Sequence, residues 1–221
     1  MAEDCPTYET LNSQCRSLGA HRRSIPPEMA LVATAAQRVP RGMSETALLV
    51  IDMFNTYRHP DADQLAANVA TIVEPLAGLV SRAQAHTDMD LIYVNDNHGD
   101  FTAGPSAIVG AALQGAHPEL VSPLVPEGKF QFVTKVRHSI FYASPLEYLL
   151  GRLRTRQLIL SGQVTEQCVL YSALDAYVRH FDVVIPTDAV APIDPPLGES
   201  AVEMMRRNMR AELCTSTGCM H

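Results

Sequence analysis

Residues 158–191 read LILSGQVTEQCVLYSALDAYVRHFDVVIPTDAVA, and this stretch decides the fold. Leu158–Leu160 is a short apolar run closed by Ser161-Gly162-Gln163, the mark of a buried strand. From about Thr165 to His180 the period changes. Leu170, Ala173, Leu174, Tyr177, Val178 and Phe181 fall on one face of a helix. Asp182–Ile185 is a second apolar run. Strand, helix and strand in succession form a βαβ unit, whose two strands run parallel through a right-handed crossover.

The same alternation continues upstream. Ala47–Ile51 is a fully apolar strand ending at Asp52. Asp63–Ala85 carries Leu65, Val69, Ile72, Val73, Leu76, Leu79, Val80 and Ala83 at helical spacing, with a kink expected at Pro75. Leu91–Val94 is a second strand. A long polar stretch, Asn95–Gly128, follows, with a short helix near Ile108–Leu113. Phe130–Thr134 is the third strand and ends at Lys135. Ser144-Pro145-Leu146-Glu147 reads as a helix start, with Ser at the cap, Pro first in the helix and Glu three residues after the cap. That helix runs to about Arg154, and a last one spans about Gly198–Leu213. The pattern predicts an α/β fold of three layers, a parallel sheet between helices. No internal repeat or low-complexity segment is present.

Around this domain, placed at 44–213, lie two extensions. Residues 1–43 have weak periodicity and read as an arm with one helix near Pro27–Gln37, either packed on a neighbouring subunit or disordered. Residues 214–221, CTSTGCMH, read as a mobile tail.

The 221 residues are 47% hydrophobic and 19% charged, in the globular range. A net charge of −7 argues against a general nucleic-acid binder, which needs a basic face. No run of 18 apolar residues suggests a membrane span, and MAEDCPTYETLNSQCRS has neither the basic start nor the apolar run of a secretory signal. Five cysteines, an odd count, predict reduced thiols and a cytoplasmic location. Only Cys168 lies inside the patterned core. No Cys pair has the spacing of a structural zinc site. Neither GxGxxG nor GxxxxGK[ST] follows a strand, which sets aside a nucleotide-binding module.

Parallel sheets bind ligands at the carboxyl ends of their strands. Asp52 ends the first strand, Lys135 ends the third, and Cys168 opens the helix after the fourth, so one sheet edge would gather all three. With Thr165 as the cap, Cys168 would lie in the first turn. Helix polarity there favours a thiolate, and free N–H groups can hold an oxyanion. A lysine near both would keep thiolate and aspartate charged. Each residue has a plainer reading: a buried structural cysteine, a turn aspartate and a solvated surface lysine.

Three blocks resemble the isochorismatase-like superfamily of cysteine hydrolases, which includes nicotinamidase and N-carbamoylsarcosine amidase. They are ALLVIDMFNTY around Asp52, FVTKVRHSIFYASPLEYLL around Lys135, and the stretch quoted above around Cys168, with its G-x-V-T-x-x-C core. The resemblance covers about residues 44–213 and leaves the arm unmatched. It implies a Rossmann-type parallel sheet of about six strands. It also implies a triad in which Asp52 is general base, Lys135 stabilises charge, and Cys168 attacks a carbonyl to give a thioester. A cis peptide at Gln163–Val164 is implied as well, with the Val164 and Cys168 N–H groups as oxyanion hole. Homo-oligomerisation is a further implication.

Isochorismatase itself cleaves a vinyl ether without needing the cysteine, so Cys168 favours cleavage of a small amide or ureido compound. Ether hydrolysis and a non-catalytic binding protein on the same fold are the competing readings, and a broken triad would mark the latter. Nicotinamidases hold a metal through an Asp-x-His pair and a further His. Here His98 falls near such a position, but Asp61 and Asp63, beyond His59, read as a helix start. No metal or other cofactor is expected. Phe54, Asn55, Asn97, Phe141 and Tyr142 are the expected substrate contacts, each otherwise explained as core filling or turn formation. Tyr171, one turn past Cys168, reads as packing. The expected partner is a small molecule, with no nucleic acid and no membrane.

Overall fold

In the computed structural model, residues 45–219 are described; the arm at 1–43, with its expected helix near residues 27–37, and the last two residues lie outside them. Strand β1 (Thr46–Ile51) runs between β2 (Met89–Asp96) and β4 (Gln157–Gln163), parallel to both. Its residues are apolar without alternation because each of its two faces meets a helical layer. Leu48 and Val50 join one core cluster, while Ala47, Leu49 and Ile51 join the other.

Helices α1 (Ala62–Ala85), α2 (Pro105–Leu113) and α3 (Pro118–Val121) cover the first face. On α1, Leu65, Val69, Ile72, Leu76 and Leu79 recur at helical spacing and are buried there. Each such side chain contributes about 2 kcal/mol of apolar burial. By length and composition α1 is long and apolar enough to cross a membrane, but this face packs on the sheet. Helices α4 (Leu146–Leu153), α5 (Leu170–Val178) and α6 (Pro195–Asn208) cover the second face through Leu146, Leu150, Ala173, Ala176 and Met205.

The seven-stranded sheet is parallel throughout. Its order is β3-β2-β1-β4-β5-β7, where β3 is Gln131–Lys135, β5 is Asp182–Pro186 and β7 is Glu212–Cys214. The two-residue β6 (Val190–Ala191) pairs with β4 beside Gly162 and Gln163. The chain lays β1, β2 and β3 in one direction, then returns to place β4 on the other side of β1. The crevice at the carboxyl ends of β1 and β4 is thus a topological switch point.

The sequence reading of about six strands becomes seven. β6 and β7 are too short for a pattern of their own, and β7 occupies part of the segment read as the end of the last helix. The tail read as mobile from residue 214 is tied down as far as Ser216. Cys214 ends β7, and Asp188 accepts hydrogen bonds from the Ser216 N–H and hydroxyl. Helix α4 begins after Pro145; Ser144 accepts from the Leu146 N–H, and Glu147 pairs with Arg179 instead of closing a capping box. On α5 the buried residues are Ser172, Ala173 and Ala176. Leu174, Tyr177 and Val178, assigned to the buried face from their spacing, are exposed.

Candidate active site

Asp52 is the first residue beyond β1, and its φ of 53° turns the chain sharply off the strand. The turn is held on three sides. The Asp52 N–H donates to the Val94 carbonyl at 2.9 Å. Its Oδ1 accepts from the Asp96 N–H at 2.8 Å, and its carbonyl accepts from Gln163 Nε2 at 2.6 Å. These bonds fix the second carboxylate oxygen, Oδ2, 2.9 Å from Lys135 Nζ.

Lys135 ends β3 and is 1% exposed, so its charge must be answered inside the protein. Its ammonium contacts Asp52, Asp96 Oδ2 at 3.4 Å and the Arg137 carbonyl at 3.0 Å. It also reaches Cys168 Sγ at 3.7 Å. Burial works against the charge, but the carboxylates of Asp52 and Asp96, joined by the Cys168 sulfur when it is ionised, more than reverse that and hold the ammonium above its ordinary value.

Cys168 lies in a π-type turn, Thr165–Val169, that leads into α5. Gly162 begins the approach to it. Its φ is +104°, and a Cβ there would run into the Ile51 backbone. The Gln163–Val164 peptide is cis. Thr165 does not cap the helix as expected: its hydroxyl has no hydrogen-bond partner, and Val164 holds the cap position. The Cys168 thiol is held above its ordinary value. Burial pushes it up, the Asp52 carboxylate that accepts its hydrogen bond pushes it further, and Lys135 and the Val164 N–H only partly offset this. That direction favours a protonated sulfur beside a base over an anion held by helix polarity.

The three groups all line a cavity of about 600 Å³. Phe54, Asn55 and Asn97 line it, and so do His59, His98, Arg58 and, from α2 and the segment before it, Ala103, Ala107, Ile108 and Ala111. Phe141 and Tyr142 do not. Phe141 is buried against Phe181 under the Arg179 guanidinium, and Tyr142 is exposed outside the cavity. The loop after β3 turns back over α5, and that carries both aromatics away from the cleft. Asp61 and Asp63 stand at the start of α1, away from the cavity lining. Among the described residues no group of three or more His, Cys, Asp or Glu side chains is arranged to hold a metal ion.

Four residues went unread in the sequence. Asp96 is the last residue of β2 but lies two positions past the apolar run Leu91–Val94, so a rule that looks just beyond the apolar run stops short of it. Asn95 stands out as a polar residue in an apolar strand. Fully buried, it ties the Asp52 segment to β2 by accepting from the Phe54 N–H and donating to the Phe54 carbonyl. Gln163, also buried, accepts from the Tyr57 hydroxyl at 3.3 Å while holding the Asp52 carbonyl. His138 places Nδ1 3.8 Å from Cys168 Sγ, and nothing in the local sequence signals that approach.

The isochorismatase domain family matches residues 46–218. The isochorismatase family protein YaaI of Bacillus subtilis is 30% identical over 172 residues, 78% of this chain and 94% of that protein. Maleamate amidohydrolase of Pseudomonas putida is 27% identical over 164 residues, 70% of this chain and 75% of the relative. Among solved structures, N-carbamoylsarcosine amidase from Thermoplasma acidophilum has the same fold, with a TM-score of 0.61 at 23% identity over 80% of this chain and 99% of that one. With its family match spanning the whole sheet, the chain belongs to the isochorismatase family and is a hydrolase.

Proposed function

We propose that this hydrolase cleaves the C–N bond of a small amide or ureido compound through a thioester on Cys168. One observation carries the reading. The Lys135 ammonium stands between Asp52 Oδ2, at 2.9 Å, and Cys168 Sγ, at 3.7 Å, at the edge of an open cleft. The similarity to a maleamate amidohydrolase supports the same bond class.

The steps follow from the contacts. A carbonyl carbon enters beside the sulfur. As the S–C bond forms, the thiol proton moves to Asp52, which already accepts its hydrogen bond. Lys135 keeps its positive charge throughout and balances whichever of carboxylate and sulfur is negative. The N–H groups of Val164 and Cys168 take the developing oxyanion. When the C–N bond breaks, Asp52 hands its proton to the departing nitrogen. Water then attacks the thioester, Asp52 accepts a proton from it, and the C–S bond breaks. The proton returns to sulfur and the acid product leaves. Apolar Phe54 and Ile108 and polar Asn55 and Asn97 would hold the remainder of the substrate.

The test is ammonia release from a panel of small amides and carbamoyl compounds by the wild-type protein and Cys168→Ala. The wild type should turn over at least one compound and the variant none. A signal that survives the substitution refutes the nucleophile. Cleavage of a vinyl ether alone, with no amide turned over, refutes the bond class.

A further inference from the structure

Cys168 Sγ has a neighbour outside this machinery. His138 is exposed and lies outside the lining of the cleft, yet its Nδ1 is 3.8 Å from the sulfur. The position is built from both sides. The preceding carbonyl, that of Arg137, accepts from Lys135 Nζ at 3.0 Å. The following residue, Ser139, donates to Asp175 Oδ2 on α5 at 2.5 Å, and the Ile140 N–H donates to Ser172 Oγ at 3.1 Å. The ring meets the edge of Tyr171 with centroids 5.4 Å apart. A solvent-facing histidine with no such anchors would spend little time at the sulfur, because ordering a side chain costs entropy. Here the backbone on either side is tied down and the ring is packed.

We propose that His138 is a fourth catalytic group, donating a hydrogen bond from Nδ1–H to the Cys168 sulfur from outside the cleft. It does so in the tautomer that carries its proton on Nδ1. Asp52 and Lys135 pair with each other as well as with the sulfur, whereas His138 reaches the sulfur from its own side. Its donor strengthens as the sulfur gains negative charge, so it lowers the barrier both when the thiol attacks and when the thiolate leaves the thioester. The thiol proton still goes to Asp52, and His138 gives up no proton in either step. The catalytic meaning rests on the thioester reading; the hydrogen bond itself does not.

The test needs no substrate. Purified wild type, His138→Ala, His138→Phe and His138→Asn are treated with iodoacetamide, and modification of the peptide containing Cys168 is followed by mass spectrometry. The sulfur displaces iodide from the reagent, so the rate reports its nucleophilicity. His138→Phe keeps a ring against Tyr171 without a donor, and His138→Asn keeps an N–H near the position of Nδ1. Both His138→Ala and His138→Phe should slow modification about tenfold, the scale of one charge-assisted hydrogen bond, and His138→Asn should recover most of the rate. Thermal melting of all four proteins should agree, since His138 is exposed. Modification of His138→Phe at the wild-type rate, or of His138→Asn as slowly as His138→Ala, overturns the proposal. Either result is independent of whether any amide is hydrolysed.

Discussion

Gly162 couples the fold to the site, and replacing it with alanine has a cost that can be worked out from its surroundings. It pairs with Ile51 in the β1–β4 ladder and with Val190 in β6, so three strands converge on it. A Cβ there would collide with the Ile51 carbonyl oxygen and lie 2.8 Å from Ile51 N and 3.0 Å from Ile51 C. The obstacle is backbone inside a ladder, which cannot rotate aside as a side chain could. The φ of +104° adds strain of roughly 1–3 kcal/mol for any L side chain. Overpacking adds roughly 1–3 kcal/mol more. About 4 kcal/mol in total is a large share of the 5–15 kcal/mol that holds a typical domain. For a chain of this size it lowers the melting temperature by roughly 8–16 °C. The assay is calorimetric melting with urea denaturation as a second measure. Gly151→Ala supplies the contrast. Gly151 lies in α4 with open space around its Cα, and the same change there should stabilise by about 0.5–1 kcal/mol. If Gly162→Ala melts within about 2 °C of wild type, the Ile51 backbone yields to a Cβ and the β1–β4 ladder does not constrain this position.

Other expectations follow from the buried charges and phenols. Lys135→Met leaves the Asp52 and Asp96 carboxylates facing a site with no cation, and should cost about 3 kcal/mol in urea denaturation; an unchanged midpoint would mean that solvent already neutralises them. Burial raises the Tyr57 hydroxyl to about 12, against the pull of its Gln163 hydrogen bond. A group raised on folding stabilises fully below its unfolded value of 10.0, and that contribution fades as pH climbs through about 12. Between those values the wild type should therefore lose on the order of 2 kcal/mol more stability than Tyr57→Phe. Parallel stability curves for the two proteins in alkali would refute the assignment.

The sequence by itself determined the layered α/β architecture. The apolar run Ala47–Ile51 is too short for a helix and lacks the alternation of a half-exposed strand, and the period of Leu65 to Leu79 marks a helix with one buried face. It also singled out Asp52, Lys135 and Cys168, because parallel strands must deliver their carboxyl ends to one edge. What it left undecided depends on contacts between distant segments. The upward push on the Cys168 thiol comes from burial and from Asp52, more than a hundred positions away, and it outweighs the local Val164 N–H. Phe141 and Tyr142 leave the cleft because Ser139 and Ile140 are bound to α5. Asp96, Gln163 and His138 gain their places only when β1, β2, β4 and the loop after β3 are packed together. Local pattern encodes which face of an element is apolar; which polar atoms then meet is decided by the register of strands far apart in the chain.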